Sequence, residues 1–215
     1  MIKVAPSILS GDFAAMGKTV ADVESWGADW IHFDVMDGIY VPNITFGMPM
    51  CRAIRKHTTL PLDVHLMITK PERYVEEFCR AGADIVTFHP DASEDVRGTL
   101  LKIQALGKKA GLVLSPDKGT EWIAPYLDIV DMILIMGVYP GFGGQKLIEA
   151  SLEKAREVYR MIQAQGRQVD LELDGGVTLE NAREIVGCGV NVLVAGSSVF
   201  NHSNPSEAVQ ILRNL

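Results

Sequence analysis

Cysteine is scarce in this 215-residue chain: Cys51, Cys79 and Cys188 are odd in number, far apart and without a Cys-x-x-Cys spacing. Neither a disulfide framework nor a thiolate metal site is expected, and a reducing cytoplasm fits best. A basic excess is missing too. Twenty Lys and Arg stand against 27 Asp and Glu, a formal net charge of −7 spread along the chain, so no nucleic-acid partner is expected, because phosphate neutralisation needs a basic face. No apolar run approaches the ~20 residues of a membrane span. The opening residues, MIKVAPSILSGDF, lack a basic segment followed by an apolar stretch, so we expect no membrane partner and no targeting segment. No linker, charge block or low-complexity tract divides the chain, which is therefore expected to form one domain over residues 1–215.

What is present is an alternation. Short apolar, β-branched runs recur at 3–9, 30–35, 62–67, 84–89, 109–114, 131–136, 170–175 and 190–196. Stretches with apolar residues at helical spacing, such as 13–26, 71–81, 92–106, 148–165 and 179–188, separate them. Ser10-Gly-Asp12, Lys70-Pro71 and Thr178 read as helix starts. Trp26-Gly-Ala-Asp29, Arg80-Ala-Gly-Ala-Asp84 and Gly187-Cys-Gly189 read as helix ends turning into the next strand. Eight strand–helix alternations in this length favour a closed parallel (β/α)8 barrel, the TIM barrel, over an open doubly wound sheet.

Within the run WIHFDV, His32 and Asp34 interrupt an otherwise buried pattern two residues apart, so they share one face of the strand. Burial of an imidazole and a carboxylate together is costly unless something pairs or binds them. In a TIM barrel, catalytic groups collect at the C-terminal ends of the strands. His32, Asp34, His65 and Asp174 all fall toward such ends, on strands two, three and seven. Their mixed nitrogen and oxygen donors suit one divalent cation, Zn²⁺, Fe²⁺, Mn²⁺ or Co²⁺. His89 ends strand four and reads more readily as a core residue than as a chemical one.

Three small-residue turns follow neighbouring strands at the same rim: Gly141-Phe142-Gly143-Gly144 after strand six, Gly175-Gly176 after strand seven, and Gly196-Ser197 after strand eight. Such turns expose backbone N–H groups to an anion, and their common position points to a phosphorylated substrate. Neither a Walker loop nor a dinucleotide GxGxxG turn is present. Met36, Met67 and Met136 lie at or just after strand ends, as core filling or as an apolar wall around the site.

HFDVMDGIYVPN, LDVHLM, PGFGGQ, ELDGGV and AGSSVF, in this order and spacing, resemble the ribulose-phosphate 3-epimerase family from end to end. The resemblance implies a (β/α)8 barrel and a metal-dependent epimerase that interconverts D-ribulose 5-phosphate and D-xylulose 5-phosphate in the pentose phosphate pathway. It places the metal ligands on His32, Asp34, His65 and Asp174 and the acid–base pair on Asp34 and Asp174. Substrate contacts fall on Ser7, His65, Met36, Met67, Met136, the Gly141–Gly144 loop, Gly175, Gly176, Gly196 and Ser197. Inversion at C3 through a metal-stabilised enediolate asks for such a pair, one acid on each face of the carbon. A homo-oligomer, dimer or hexamer, is implied as well.

The chain departs from the family pattern at Gly137 and Tyr139, where a hydroxyl and a polar residue are usual, at His89-Pro90-Asp91-Ala92, where His-x-Glu-Ala is usual, and at Ser115, where Asn is common. These departures motivate a second reading, an epimerase of another ketose phosphate such as D-allulose 6-phosphate or a shorter sugar. A third is a barrel that binds a sugar phosphate without catalysis, against which the intact Asp34 and Asp174 argue. A decarboxylase of the wider barrel group would place a lysine near the end of strand two or three, and Lys56 and Lys70 are not so placed.

Overall fold

A computed structural model describes residues 1–215. Eight parallel strands share one sheet: β1 (Lys3–Ala5), β2 (Ile31–Met36), β3 (Leu62–Met67), β4 (Ile85–Phe88), β5 (Lys109–Leu114), β6 (Met132–Met136), β7 (Asp170–Asp174) and β8 (Val192–Val194). The ladder runs β1-β8-β7-β6-β5-β4-β3-β2. Its two ends meet through a parallel bridge between Ser7 and His32 and a bond from His32 N–H to Pro6 O of 3.1 Å, which all but closes the barrel. Helices α1 (Met16–Ser25), α2 (Met48–Ile54), α3 (Val75–Ala81), α4 (Val96–Ala105), α5 (Ala150–Gln165), α6 (Ala182–Gly187), α7 (Ser197–Phe200) and α8 (Pro205–Arg213) cover the outside.

The boundaries differ from the sequence expectation where the backbone lacks a donor or a partner. The first strand stops at Ala5 because Pro6 has no N–H for the ladder, and Ile8–Ser10 turns into a 3₁₀ helix. The expected helix at 92–106 starts only at Val96, where Asp95 accepts from Gly98 N–H. Between β5 and β6 the chain forms two 3₁₀ turns, Thr120–Trp122 and Ala124–Tyr126, in place of an α-helix; Pro125 in the second cannot continue a helical ladder.

Alternation along the strands sorts the side chains. Phe33, Val35, Val64, Leu66, Leu112, Ile133, Ile135, Leu171 and Leu173 join a 50-residue apolar cluster between sheet and helices, and this is the main core. The residues between them fill the barrel itself, and they are unusually polar: Asp63, His65, Thr87, His89 and Glu172 are all fully buried there, with His32.

At the N-terminal end of the barrel a regular device completes the sheet. Asp29, just before β2, accepts from Val4 N–H at 3.0 Å; Asp84, before β4, accepts from Leu62 N–H at 3.0 Å; Asp131, before β6, accepts from Ala110 N–H at 3.0 Å. Asn191 does the same before β8, accepting from Leu171 N–H at 2.7 Å. Each even strand is thus preceded by a side chain that satisfies the first free donor of the odd strand beside it. Cations neutralise two of these acids, Arg213 on Asp29 and Arg55 with Lys108 on Asp84, while the Gln104 amide donates to Asp131; at the same end Lys3 and Lys109 pair with Asp170.

Candidate active site

The register of β2 against β3 pairs His32 with Asp63, Asp34 with His65 and Met36 with Met67. Both strands run two residues beyond Asp34 and His65, so His32, Asp34 and His65 sit below the rim, deeper than strand-end positions. Asp174 joins them at the end of β7. The donor atoms of His32, Asp34, His65 and Asp174 all lie within 4.8 Å of one another. His32 Nε2 is 3.2 Å from Asp34 Oδ1 and 3.8 Å from Asp174 Oδ2; His65 Nδ1 stands at the same two distances from the same two oxygens. Ser7 Oγ donates to Asp34 Oδ2 at 2.6 Å.

Charge is unbalanced here. No Lys or Arg pairs with Asp34 or Asp174. Burial alone would raise Asp34, but His32 and His65 outweigh it and hold its carboxyl well below the usual range. Asp174 goes the other way: burial, then the neighbouring Asp34, push it up to about 6. Burial would lower His32, yet Asp34 and Asp63 hold it well above the usual imidazole range. One strand, then, offers a carboxylate kept ionised and another offers one that accepts a proton more readily, a division that suits a base and an acid.

The donor set fits a divalent cation on a structural observation. His32 Nε2 is buried and has no hydrogen-bond partner, because Asp34 is near but out of line for one. Its Nδ1 lies 2.6 Å from Asp63 Oδ2, an acceptor for the proton on that nitrogen, so the neutral ring that a cation would select turns its Nε2 lone pair to the other donors. Two carboxylates around a 2+ ion also sum to zero charge, which offsets the cost of burying them.

Above the donors opens a cavity of about 860 Å³. Asp34 and Asp174 reach its floor together with Ser7, Met36, Met67 and Met136, while Gly141, Phe142, Gly143, Gly144, Gly175, Gly176, Gly196 and Ser197 line its wall. His32 and His65 lie beneath, fully buried. Every residue singled out from the sequence is therefore at this one end of the barrel. Gly143, Gly144 and Gly176 donate their N–H groups to no protein acceptor. Gly176 is required by the geometry: φ is +74° and a Cβ would come within 2.4 Å of Leu147 N. Gly137 answers a close approach as well, since a Cβ there would meet Gly175 O at 2.2 Å.

Sequence reasoning passed over Asp63 and Glu172. Glu172 is wholly buried with neither carboxylate oxygen partnered, and burial, then Asp63, raise it well above the usual carboxylate range. The signal was available. Asp63 precedes His65 by two, and Glu172 precedes Asp174 by two, the same spacing that drew attention to His32 and Asp34.

The fold and this site define a class, the (β/α)8 barrels with an acid-lined mouth, and comparison with solved structures shows that fold. A structure of KGPDC from Streptococcus mutans superposes with a TM-score of 0.74 at 13% identity, covering 100% of this chain and 97% of that one. At the sequence level, residues 3–200 match the ribulose-phosphate 3 epimerase family. The protein named ribulose-phosphate 3-epimerase in Bacillus subtilis (strain 168) is 49% identical over 214 residues, 99% of each chain. Its namesake in Synechocystis sp. is 48% identical over 215 residues, 99% of this chain and 94% of the other. The chain belongs to the ribulose-phosphate 3-epimerase family, isomerases that act on carbohydrates.

Proposed function

We propose that the chain interconverts D-ribulose 5-phosphate and D-xylulose 5-phosphate by moving protons at C3 with Asp34 and Asp174. The observation that carries this reading is the presence of two carboxylates, pushed in opposite directions, on the floor of one cavity from strands that are not neighbours, with β8 and β1 between them. Asp34, kept ionised and oriented by Ser7, takes the proton from one face of the carbon. Asp174 returns a proton to the other. In the reverse direction the roles exchange. His32, Asp34, His65 and Asp174 would hold a divalent cation, Zn²⁺, Fe²⁺, Mn²⁺ or Co²⁺, whose bound charge supplies Lewis-acid stabilisation of the negative charge that develops on the sugar oxygens. Met36, Met67 and Met136 exclude water from that charge. The free N–H groups of Gly143, Gly144 and Gly176 grip the phosphate, with Gly175, Gly196 and Ser197 completing the wall.

Turnover on a panel of ketose phosphates, run in D₂O and read by NMR, tests the proposal. The expected result is ribulose 5-phosphate as the best substrate, with solvent deuterium appearing at C3. A much better rate on another sugar would refute it. One observation favours a different ketose phosphate: Tyr139, where the family has a polar residue, stands 56% exposed at the rim. If it contacts the far end of a longer sugar such as allulose 6-phosphate, that substrate will lead the panel.

No helix is long and apolar enough to cross a membrane. All three cysteines are buried and unpaired, which supports a cytoplasmic setting. Assembly as a homo-oligomer is part of the same proposal, and a mass measurement in solution decides between dimer and hexamer.

A further inference from the structure

The two imidazoles of the donor cluster are steadied differently. His32 turns Nε2 to the cluster and rests its Nδ1 on a carboxylate, Asp63. His65 is reversed: Nδ1 faces Asp34 and Asp174, and Nε2 lies 3.0 Å from Nε2 of His89. His89 Nδ1 is in turn 3.1 Å from Ser115 Oγ. All three side chains are buried, His65 and His89 completely.

A neutral imidazole carries one N–H and one lone pair. For His65 to offer the Nδ1 lone pair to a cation, its proton must sit on Nε2, and a buried N–H there needs an acceptor. The group facing it is the Nε2 of His89. His89 can accept there only with its own proton on Nδ1, and that N–H has Ser115 Oγ in front of it. The chain therefore has a single polarity compatible with a loaded site: His65 Nε2–H donates to His89, and His89 Nδ1–H donates to Ser115.

We propose that His89, backed by Ser115, is a positioning residue that fixes His65 in its Nε2-protonated form and so aims Nδ1 at the cation. This role rests on the metal reading above. It also gives a task to one of the places where the chain departs from its family pattern, the serine at 115.

Chelator-treated wild type, His89→Gln, His89→Phe and Ser115→Ala, each loaded with Co²⁺, form the test. Affinity is read by competition with a chelator and geometry by the visible Co²⁺ bands. His89→Phe removes the acceptor and is expected to weaken Co²⁺ about 10- to 100-fold and to shift the bands. In His89→Gln an amide oxygen accepts in its place, so affinity is expected within about 5-fold of wild type. Ser115→Ala is expected to fall between the two. Folded His89→Phe with wild-type affinity and bands would overturn the inference. If His89→Phe does not fold, Ser115→Ala decides: weaker binding supports the chain, and unchanged affinity and bands overturn it. Wild type that takes up no Co²⁺ would overturn the metal reading and this inference together, whereas tight, identical binding by all four proteins would overturn this inference alone.

Discussion

Asp170 and Asp174 stand four residues apart on β7, on the same face of the strand, yet their surroundings are opposite. Asp170, at the closed end of the barrel, meets Lys3 at 2.6 Å, Lys109 at 3.3 Å and the Asn191 amide at 2.9 Å. Burial would raise its carboxyl, but these partners outweigh burial and lower it. Asp174, at the mouth, has only imidazoles and another carboxylate near it and is pushed up to about 6 by burial and Asp34. The same residue type is completed within the protein at one end and left incomplete at the other. An acid whose charge the fold has already answered serves stability; one whose charge it has not is available for a ligand and for proton transfer.

The strongest way to break this contrast is substitution at the mouth. Asp34→Asn or Asp174→Asn is expected to lower turnover by on the order of 10²-fold or more, because in the proposed mechanism acid–base and ligand roles coincide. Thermal unfolding in chelator should show no loss of stability for Asp174→Asn, which removes a charge that burial and Asp34 disfavour, but a lower Tm for Asp34→Asn, because His32 and His65 favour the ionised form that is lost. At the other end activity is spared and stability is lost. Asp170→Asn strips both lysines of their partner and is expected to cost about 1–3 kcal/mol, visible as a lower Tm, with turnover within about twofold of wild type.

A finer test uses pH. Asp170 has a folded pKa below the ~3.9 of an unfolded chain, so the stability it contributes is present above that value and is lost as pH falls through the folded one. Asp174 has a folded pKa raised to about 6, so the folded state binds more protons between about pH 4 and 6. Stability of chelator-treated protein through this group therefore declines as pH rises across that window. Denaturant titrations should show Asp170→Asn losing the acid-side slope and Asp174→Asn losing the slope between pH 4 and 6. The smallest effect concerns the rim. Tyr139→Asn is expected to change the ranking among ketose phosphates by a few-fold in kcat/KM and to leave both Tm and metal uptake unaltered, which the same substrate panel reads.

The mouth was easier to read from the sequence than the closed end, for a physical reason. His32, Asp34, His65 and Asp174 interrupt apolar strands, and a polar residue in such a run stands out. The glycine turns stand out as well, because a loop that must bring its backbone close to Leu147 at Gly176 has no other residue to use. Asp29, Asp84, Asp131 and Asn191 were hidden. Each sits at a helix-to-strand turn, where an acid or amide reads as punctuation, and only the sheet register shows that it completes the neighbouring strand. The hydrogen-bond partners of the two imidazoles depend on which strands lie side by side. The sequence displays His89, Ser115 and Asp63 separately, and only the folded barrel brings them to His65 and His32.

Titration of chelator-treated protein with Zn²⁺, followed by calorimetry and thermal unfolding, tests most directly whether the mouth is built around a cation. The account predicts uptake close to one equivalent per chain, a rise in Tm on binding and the return of epimerase turnover, all lost in a His32→Ala, His65→Ala double variant. Full turnover after exhaustive chelation, with no Zn²⁺ uptake and no change in Tm, would contradict it.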